Sequence, residues 1–305
     1  MAADGRTQGP TVGPAPEQQG QRAQRGRGEA TEAMVAGPPH DVVHRRVEAM
    51  TATAGRGQSF GEAPALYDRF RPSYPRQIME TIVAGTGHRP VLEIGAGTGK
   101  ATKALVALGR QVHALEPDLR MAAVLDLNCR HHGGVEIVPH PLETAPLVPE
   151  SYELAVAAQS WHWIDPMVGY DLVASALMPE GRLALVWHTP RPRQGLFGEA
   201  LGQLYARMAP GMGRPLPGAN GSDVDPTAHP AATGRFHGWT RLEHHWQRDL
   251  DAAGLVGWLA TTSSHRMLPL AARAEVLTAV SALVEEFGGM VSIDMATVLH
   301  HGQRR

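Results

Sequence analysis

From residue 91 onward the apolar positions come in short runs separated by amphipathic stretches. The runs at 91–94 (VLEI), 112–115 (VHAL), 135–138 (VEIV), 152–158 (YELAVAA) and 182–187 (RLALVW) are β-rich and too short for helices. Helix-patterned segments separate most of them. Residues 100–108 place Ala101, Ala104, Leu105 and Leu108 on one face, and Gly109 stops them. Residues 118–130 open at Asp118, a good N-cap, and 165–177 open with Asp165-Pro166, an N-cap followed by a first-turn proline, and close at MPEG. Strands alternating with helices predict an α/β fold with a doubly wound, mostly parallel sheet. Right-handed crossovers then put the loop after the first strand at the carboxyl edge of the sheet, where ligands bind in such folds.

After residue 188 the rhythm breaks. Residues 190–240 are rich in Pro and Gly and hold one helical run, 195–208, which reads as a cap-like insertion. Leu196, Leu201, Leu204, Tyr205 and Met208 would give that run an apolar face able to roof a pocket. A strand at 241–250, helices at 251–262 and 270–287 and a closing strand at 290–301 complete the pattern.

Composition changes the picture mainly at the N-terminus. The stretch "DGRTQGPTVGPAPEQQGQRAQRGRGEATEAMVAGPP" has no aromatic residue and little to bury, so residues 1–58 are expected to form a disordered tail. Arg22, Arg25 and Arg27 read either as an arm for nucleic acid or as part of a solvated tail, with Met34 and Met50 as alternative starts. The remaining 59–305 has an expected core at 88–188. With 28 basic against 30 acidic residues the formal net charge is −2, so no global field favours nucleic acid or an acidic membrane. Cys129 is the only cysteine, which removes a disulfide framework and any cysteine-based zinc site, and no histidine spacing suggests another metal. No signal-like segment or membrane-length apolar run is present, and the expectation is a cytoplasmic protein.

Three glycines, Gly95, Gly97 and Gly99, stand between the first strand and the first helix, in "VLEIGAGTGKAT". A phosphate-cradling loop needs Gly, four residues, then Gly-Lys-Ser/Thr. Here only three residues separate Gly95 from Gly99, and Ala101 replaces the hydroxyl. A dinucleotide fingerprint needs glycine at the sixth position, where Lys100 stands. The G-x-G-x-G spacing instead suits S-adenosylmethionine, which carries no phosphate and lets main chain lie along its amino acid and nucleoside. Glu93, an acid inside an apolar strand, either faces that ligand's ammonium and orients the loop or caps loop amides. Glu116, ending the second strand, can accept both ribose hydroxyls. Pro117 and Met121 offer apolar surface to an adenine, and Met121 reads equally well as helix core.

The segments "VLEIGAGTGKAT", "ALEPD", "PLETAPLVPESYELAVAAQSWHWID" and "LMPEGRLALVWH", in that order, resemble class I S-adenosylmethionine-dependent methyltransferases, and "ALYDRFRPSYP" at 65–75 resembles their lead-in. The segment "AQSWHWID" is similar to trans-aconitate methyltransferase-like enzymes. The resemblance covers roughly 60–305. It implies a Rossmann-like sheet of seven strands, the last pairing antiparallel. It also implies that Gly95, Gly97 and Gly99 form the cofactor loop, that Glu116 binds ribose, that Leu142 and Glu143 lie beside the adenine, and that the Gln159 region carries main chain to the methionine end. Tyr67 and Arg71 would close over the cofactor, Arg71 as a candidate for its carboxylate. Pro141 departs from the pattern, because many relatives place there a polar residue for the adenine amine.

Chemistry would then sit after the fourth strand, at Trp161, His162 and Trp163. His162 reads as a general base, as a holder of an acceptor carboxylate, or as a structural hydrogen bonder between packing tryptophans. His188, after the fifth strand, is the second candidate. The expected partner is a small-molecule acceptor, with no nucleic acid and no membrane. The alternatives are a cofactor-binding protein without catalysis and an enzyme acting on a macromolecule.

Overall fold

The computed structural model describes residues 59–191, 195–212, 216 and 225–305, and the expected tail at 1–58 lies outside them. Strands β1 (Val91–Ile94), β2 (Val112–Leu115), β3 (Val135–Val138) and β4 (Tyr152–Ala158) fall on the four apolar runs that predicted them. With β5 (Leu177–Arg191), β6 (Phe236–Asp251) and β7 (Met290–Arg304) they make one seven-stranded sheet in the order β3-β2-β1-β4-β5-β7-β6. The first five are parallel, and β7 slots antiparallel between β5 and β6. The order reverses between β1 and β4, so the crossovers leave this sheet on opposite sides and open a crevice there.

Helices cover both faces, which is why β1 and most of β4 are apolar without alternation. On one face Leu154 and Val156 of β4 join a core with Ile78, Ile82, Leu105 and Leu125. These come from α2 (Arg76–Val83), α3 (Lys100–Ala107) and α4 (Leu119–Cys129). On the other face Ala155 and Ala157 meet Tyr170 and Val173 of α5 (Pro166–Ala176). The two expected caps hold: the Asp118 carboxylate accepts from Arg120 N at 2.9 Å, and that of Asp165 from Met167 N at 2.9 Å. Ahead of the sheet, α1 (Pro64–Phe70) and α2 give helical form to the lead-in.

Two strand starts differ from expectation. β5 begins at Leu177, directly after α5, because Leu177 pairs with Tyr152 before the register shifts and Leu154 pairs with Arg182. Glu180, at φ 60°, and Gly181 sit in that irregularity and mask the strand signal. β6 begins at Phe236 instead of 241, across a second shift between His237 and Thr240 that contains Gly238 at φ 60°.

The insertion is correspondingly shorter than 190–240, and its helix does not serve as the expected roof. In α6 (Leu196–Met208) the side chains of Leu201, Leu204 and Tyr205 are buried in a third core. They pack there with Leu255 and Trp258 of α8 (Ala252–Ala260) and Val280 of α10 (Leu270–Glu286), while Leu196 is 76% exposed. This face of β6 and β7 presents Leu250, Val291, Ile293 and Met295, and α6 is spent covering that apolar surface. A buried chain of polar groups pins it: Tyr205 Oη lies 2.6 Å from His265 Nε2, and His265 Nδ1 lies 2.7 Å from Thr262 Oγ1. His265 belongs to the short α9 (Ser263–Arg266), and α7 (Pro230–Arg235) precedes β6.

Gly99 caps α3 with φ 86°, and a Cβ there would stand 2.4 Å from Leu125 Cδ1 and 3.3 Å from Cys129 Sγ. Its role is the close approach of the loop to α4. Gly99→Ala is therefore expected to lower unfolding free energy by about 2–4 kcal/mol, from strained backbone and overpacking together. Urea denaturation measures this; an unchanged midpoint would show that α4 yields freely.

Candidate functional site

The crevice at the carboxyl ends of β1, β2 and β4 is a cavity of about 1180 Å³. Its floor is the glycine loop, held by the end of the neighbouring strand. The Leu115 carbonyl accepts from the amides of Gly95 and Ala96, both at 2.9 Å, and Glu116 Oε2 accepts from Gly97 N at 2.7 Å. Glu116 Oε1 accepts from Asp118 N at 2.9 Å, so one carboxylate fixes both the loop and the turn into α4. A carboxylate has about four lone-pair positions, and the two unused ones remain for ligand hydroxyls. Burial raises the Glu116 pKa, and the two amide bonds oppose that rise.

The three glycines all have positive φ but serve different needs. A Cβ on Gly95 would meet the Ser160 Cβ at 2.6 Å, where the ends of β1 and β4 meet and the Ser160 hydroxyl donates to the Ile94 carbonyl. A Cβ on Gly97 would find only Met121 Cε at 3.7 Å and Tyr67 Cε1 at 4.0 Å, and it would stand in the cavity itself. Gly99 is the one expected loop residue that does not line the cavity, because its place is taken up by the approach to α4.

The other expected cofactor residues gather there: Tyr67, Arg71, Glu93, Glu116, Pro117, Met121, Leu142, Glu143 and Gln159 all line the same space. Glu93 is buried and accepts a hydrogen bond from the Thr102 hydroxyl at 2.6 Å, so its structural partner is the first turn of α3. Burial raises its pKa to about 8. Met121 is both buried helix core and cavity wall. Leu142 is buried and Glu143 exposed at the rim. Gln159 adopts φ 61°, unusual for a side chain with a Cβ, and its amide bonds the Val186 carbonyl at 2.8 Å. Arg71 donates from Nε and Nη2 to the hydroxyl and carbonyl of Thr261, at 3.0 and 2.8 Å, and lies over the Tyr67 ring. These bonds hold its guanidinium at the wall.

Both histidine candidates line the cavity. His162 sits on the single turn Trp161–Trp163, and its Nδ1 accepts from the Trp187 indole N–H at 3.4 Å. His188 is buried, stacks on Tyr74 with centroids 4.7 Å apart, and has its Nδ1 3.0 Å from Thr297 Oγ1. Burial, reinforced by Arg71, lowers the pKa of His162 to about 4 and of His188 to about 3. Sequence reasoning missed Tyr74, Met212, Leu216, Trp258 and Ser263, which complete the wall. Tyr74 lies inside the quoted lead-in, whereas Trp258 reads as ordinary helix core and carries no local signal. Among the described residues no cluster of His, Cys, Asp and Glu could hold a metal ion, and no helix is long and apolar enough to cross a membrane.

Residues 92–185 match the family described as a methyltransferase domain. An uncharacterised methyltransferase of Mycobacterium tuberculosis is 39% identical over 149 residues, 49% of this chain and 59% of the relative. Another from Schizosaccharomyces pombe is 30% identical over 141 residues, 43% of this chain and 53% of the relative. The chain thus spans little more than half the length of the curated relatives it matches. A solved structure of a candidate type II methyltransferase from Anaeromyxobacter dehalogenans, 21% identical, superposes with a TM-score of 0.55 over 77% of this chain and 98% of that one, a likeness of fold. The domain match, the strand order and the likeness of fold agree: residues 92–185, which contain the loop held by an acid at the end of β2, are similar to a methyltransferase domain.

Proposed function

We propose that this chain transfers the methyl group of S-adenosylmethionine to a small organic acceptor, and that the accepting atom is a carboxylate oxygen. The observation that carries this reading is that one cavity has two unlike ends. At one end Glu116, Pro117, Met121 and Leu142 offer a diol acceptor beside apolar surface, which suits adenosine. Glu93 and the wall around Arg71 suit an ammonium and a carboxylate. The buried Thr98 hydroxyl, without a partner among the described residues, lines the same space and gives such a ligand a further polar contact. S-adenosylmethionine bound there would supply a methyl activated by its sulfonium, the new C–O bond forming as the S–C bond's electron pair returns to sulfur.

The other end is lined by His162, by His188 of β5, by Trp258 of α8 and by Met212 and Leu216, a concave setting that favours a small acceptor over a macromolecular one. Its chemistry favours an acceptor that arrives ionised. A hydroxyl or ammonium acceptor needs a base, and imidazoles whose conjugate acids have pKa values of about 4 and 3 are poor ones. A carboxylate needs none. The protein's task is then alignment, worth up to about 7–11 kcal/mol. The likeness of "AQSWHWID" to trans-aconitate methyltransferase-like enzymes agrees with such an acid.

Gly97→Val, which fills cavity space at a left-handed position, is expected to remove measurable S-adenosylmethionine binding from a protein that still folds. Retained affinity would take the loop out of the site. A screen of methyl-labelled cofactor against small carboxylic acids, phenols and amines tests the acceptor. The expected product is a methyl ester, recognised by release of labelled methanol in alkali; an alkali-stable label on a phenol or amine would overturn the carboxylate reading.

A further inference from the structure

Both histidines at the acceptor end share an arrangement that methyl transfer does not require. Each is reached by an indole, a group that donates a hydrogen bond and accepts none. For His162 the contact is direct: Trp187 Nε1 donates to Nδ1 at 3.4 Å. A ring nitrogen that accepts carries no proton, so the neutral imidazole has its proton on Nε2.

For His188 the contact runs through Thr297, which pairs with it across β5 and β7. Trp246 Nε1 donates to Thr297 Oγ1 at 2.9 Å, and the same oxygen lies 3.0 Å from His188 Nδ1. Thr297 is fully buried, so its hydroxyl proton needs an acceptor, and among the bonds of the described residues His188 Nδ1 is the one it has. Donating that hydrogen bond to a bare Nδ1 leaves one group unmet, the His188 Nε2–H, which indeed has no partner among the described residues. The opposite tautomer would leave two unmet, the Thr297 hydroxyl proton and the Nε2 lone pair, in a buried place where each is costly.

We propose that Trp187, and Trp246 acting through Thr297, are positioning residues that hold His162 and His188 as Nε2–H donors, so that these histidines bind acceptor oxygen and take no proton from it. The assignment rests on the proposed acceptor for its function, but the tautomers can be measured without any substrate. It also gives Thr297 and the two tryptophans, none of which lines the cavity, a role in selecting the acceptor.

Long-range proton–nitrogen correlation spectra of the ¹⁵N-labelled full chain at neutral pH, free of ligand, report which nitrogen of each ring is protonated. His162→Gln and His188→Gln assign the two sets of signals. The expected result is protonated Nε2 and bare Nδ1 for both rings. A protonated Nδ1 on either ring in the unaltered protein overturns the proposal for that ring, whether or not any variant folds. Thr297→Val is expected to shift His188 toward the other tautomer, Thr297→Ser to restore it, and Trp187→Phe to shift His162; spectra unmoved by these changes would contradict the positioning role. With an acceptor in hand, Thr297→Val is expected to raise its KM about tenfold, the worth of one hydrogen bond, at unchanged cofactor affinity. Correct tautomers with an alkali-stable methylated product would sink the carboxylate reading alone, and correct tautomers with unchanged KM would sink the positioning role alone.

Discussion

Three successive amides of the glycine loop, from Gly95, Ala96 and Gly97, all end on Leu115 and Glu116 at the close of β2, two on the Leu115 carbonyl and one on the Glu116 carboxylate. This arrangement sets the rest of the site. A loop whose amides turn toward β2 cannot continue β1 as a strand, and positive φ at all three glycines gives it the bend this requires. The bend delivers Gly99 to α4, where no side chain fits, and leaves the Gly97 position facing open space. Glu116 is therefore a structural clamp that also lines the cavity. Its own burial is tolerable because backbone donors meet both oxygens.

The sheet order produces a cavity with a loop-built end beside β2 and a histidine-bearing end beyond β4 and β5. The charged and polar groups at that second end sit in poorly solvated surroundings. That burial, with the positive charge of Arg71 beside it, is why the two histidines are driven neutral. Neutral rings in such a place act through the hydrogen bonds they can donate or accept. The indoles behind them decide which.

The first four strands were legible to the residue because strands buried on both faces read as short continuous apolar runs. The starts of β5 and β6 were not, since Glu180-Gly181 and Gly238 look like turns yet lie in irregular pairings within strands. That the loop, Glu93 and Glu116 would come together was legible for a local reason: they lie on consecutive elements of one βαβ unit. Gly99 was grouped with the cavity-lining glycines for the same local reason, as spacing does not reveal that α4 packs against it. At the histidine end His162 and His188 were read but their neighbours were not, because Tyr74, Met212 and Trp258 come from α1's flank, the insertion and α8, and meet only through tertiary packing. The α6 face, amphipathic as a lid would be, went to the core under β6 and β7 instead. Amphipathicity says that a face is covered without saying by what.

If the loop and its clamping acid hold an adenosyl amino acid, calorimetric titration at pH 7, in two buffers of different ionisation enthalpy, shows it directly. Glu93, with a pKa near 8 in the free protein, is mostly protonated at that pH, and an ammonium placed beside it lowers the pKa and expels the proton. The expected result is one-to-one binding of S-adenosylmethionine with proton release, loss of that release in Glu93→Gln, and no binding of NAD. Binding of NAD in place of S-adenosylmethionine, or binding without proton exchange in the unaltered protein, would contradict it.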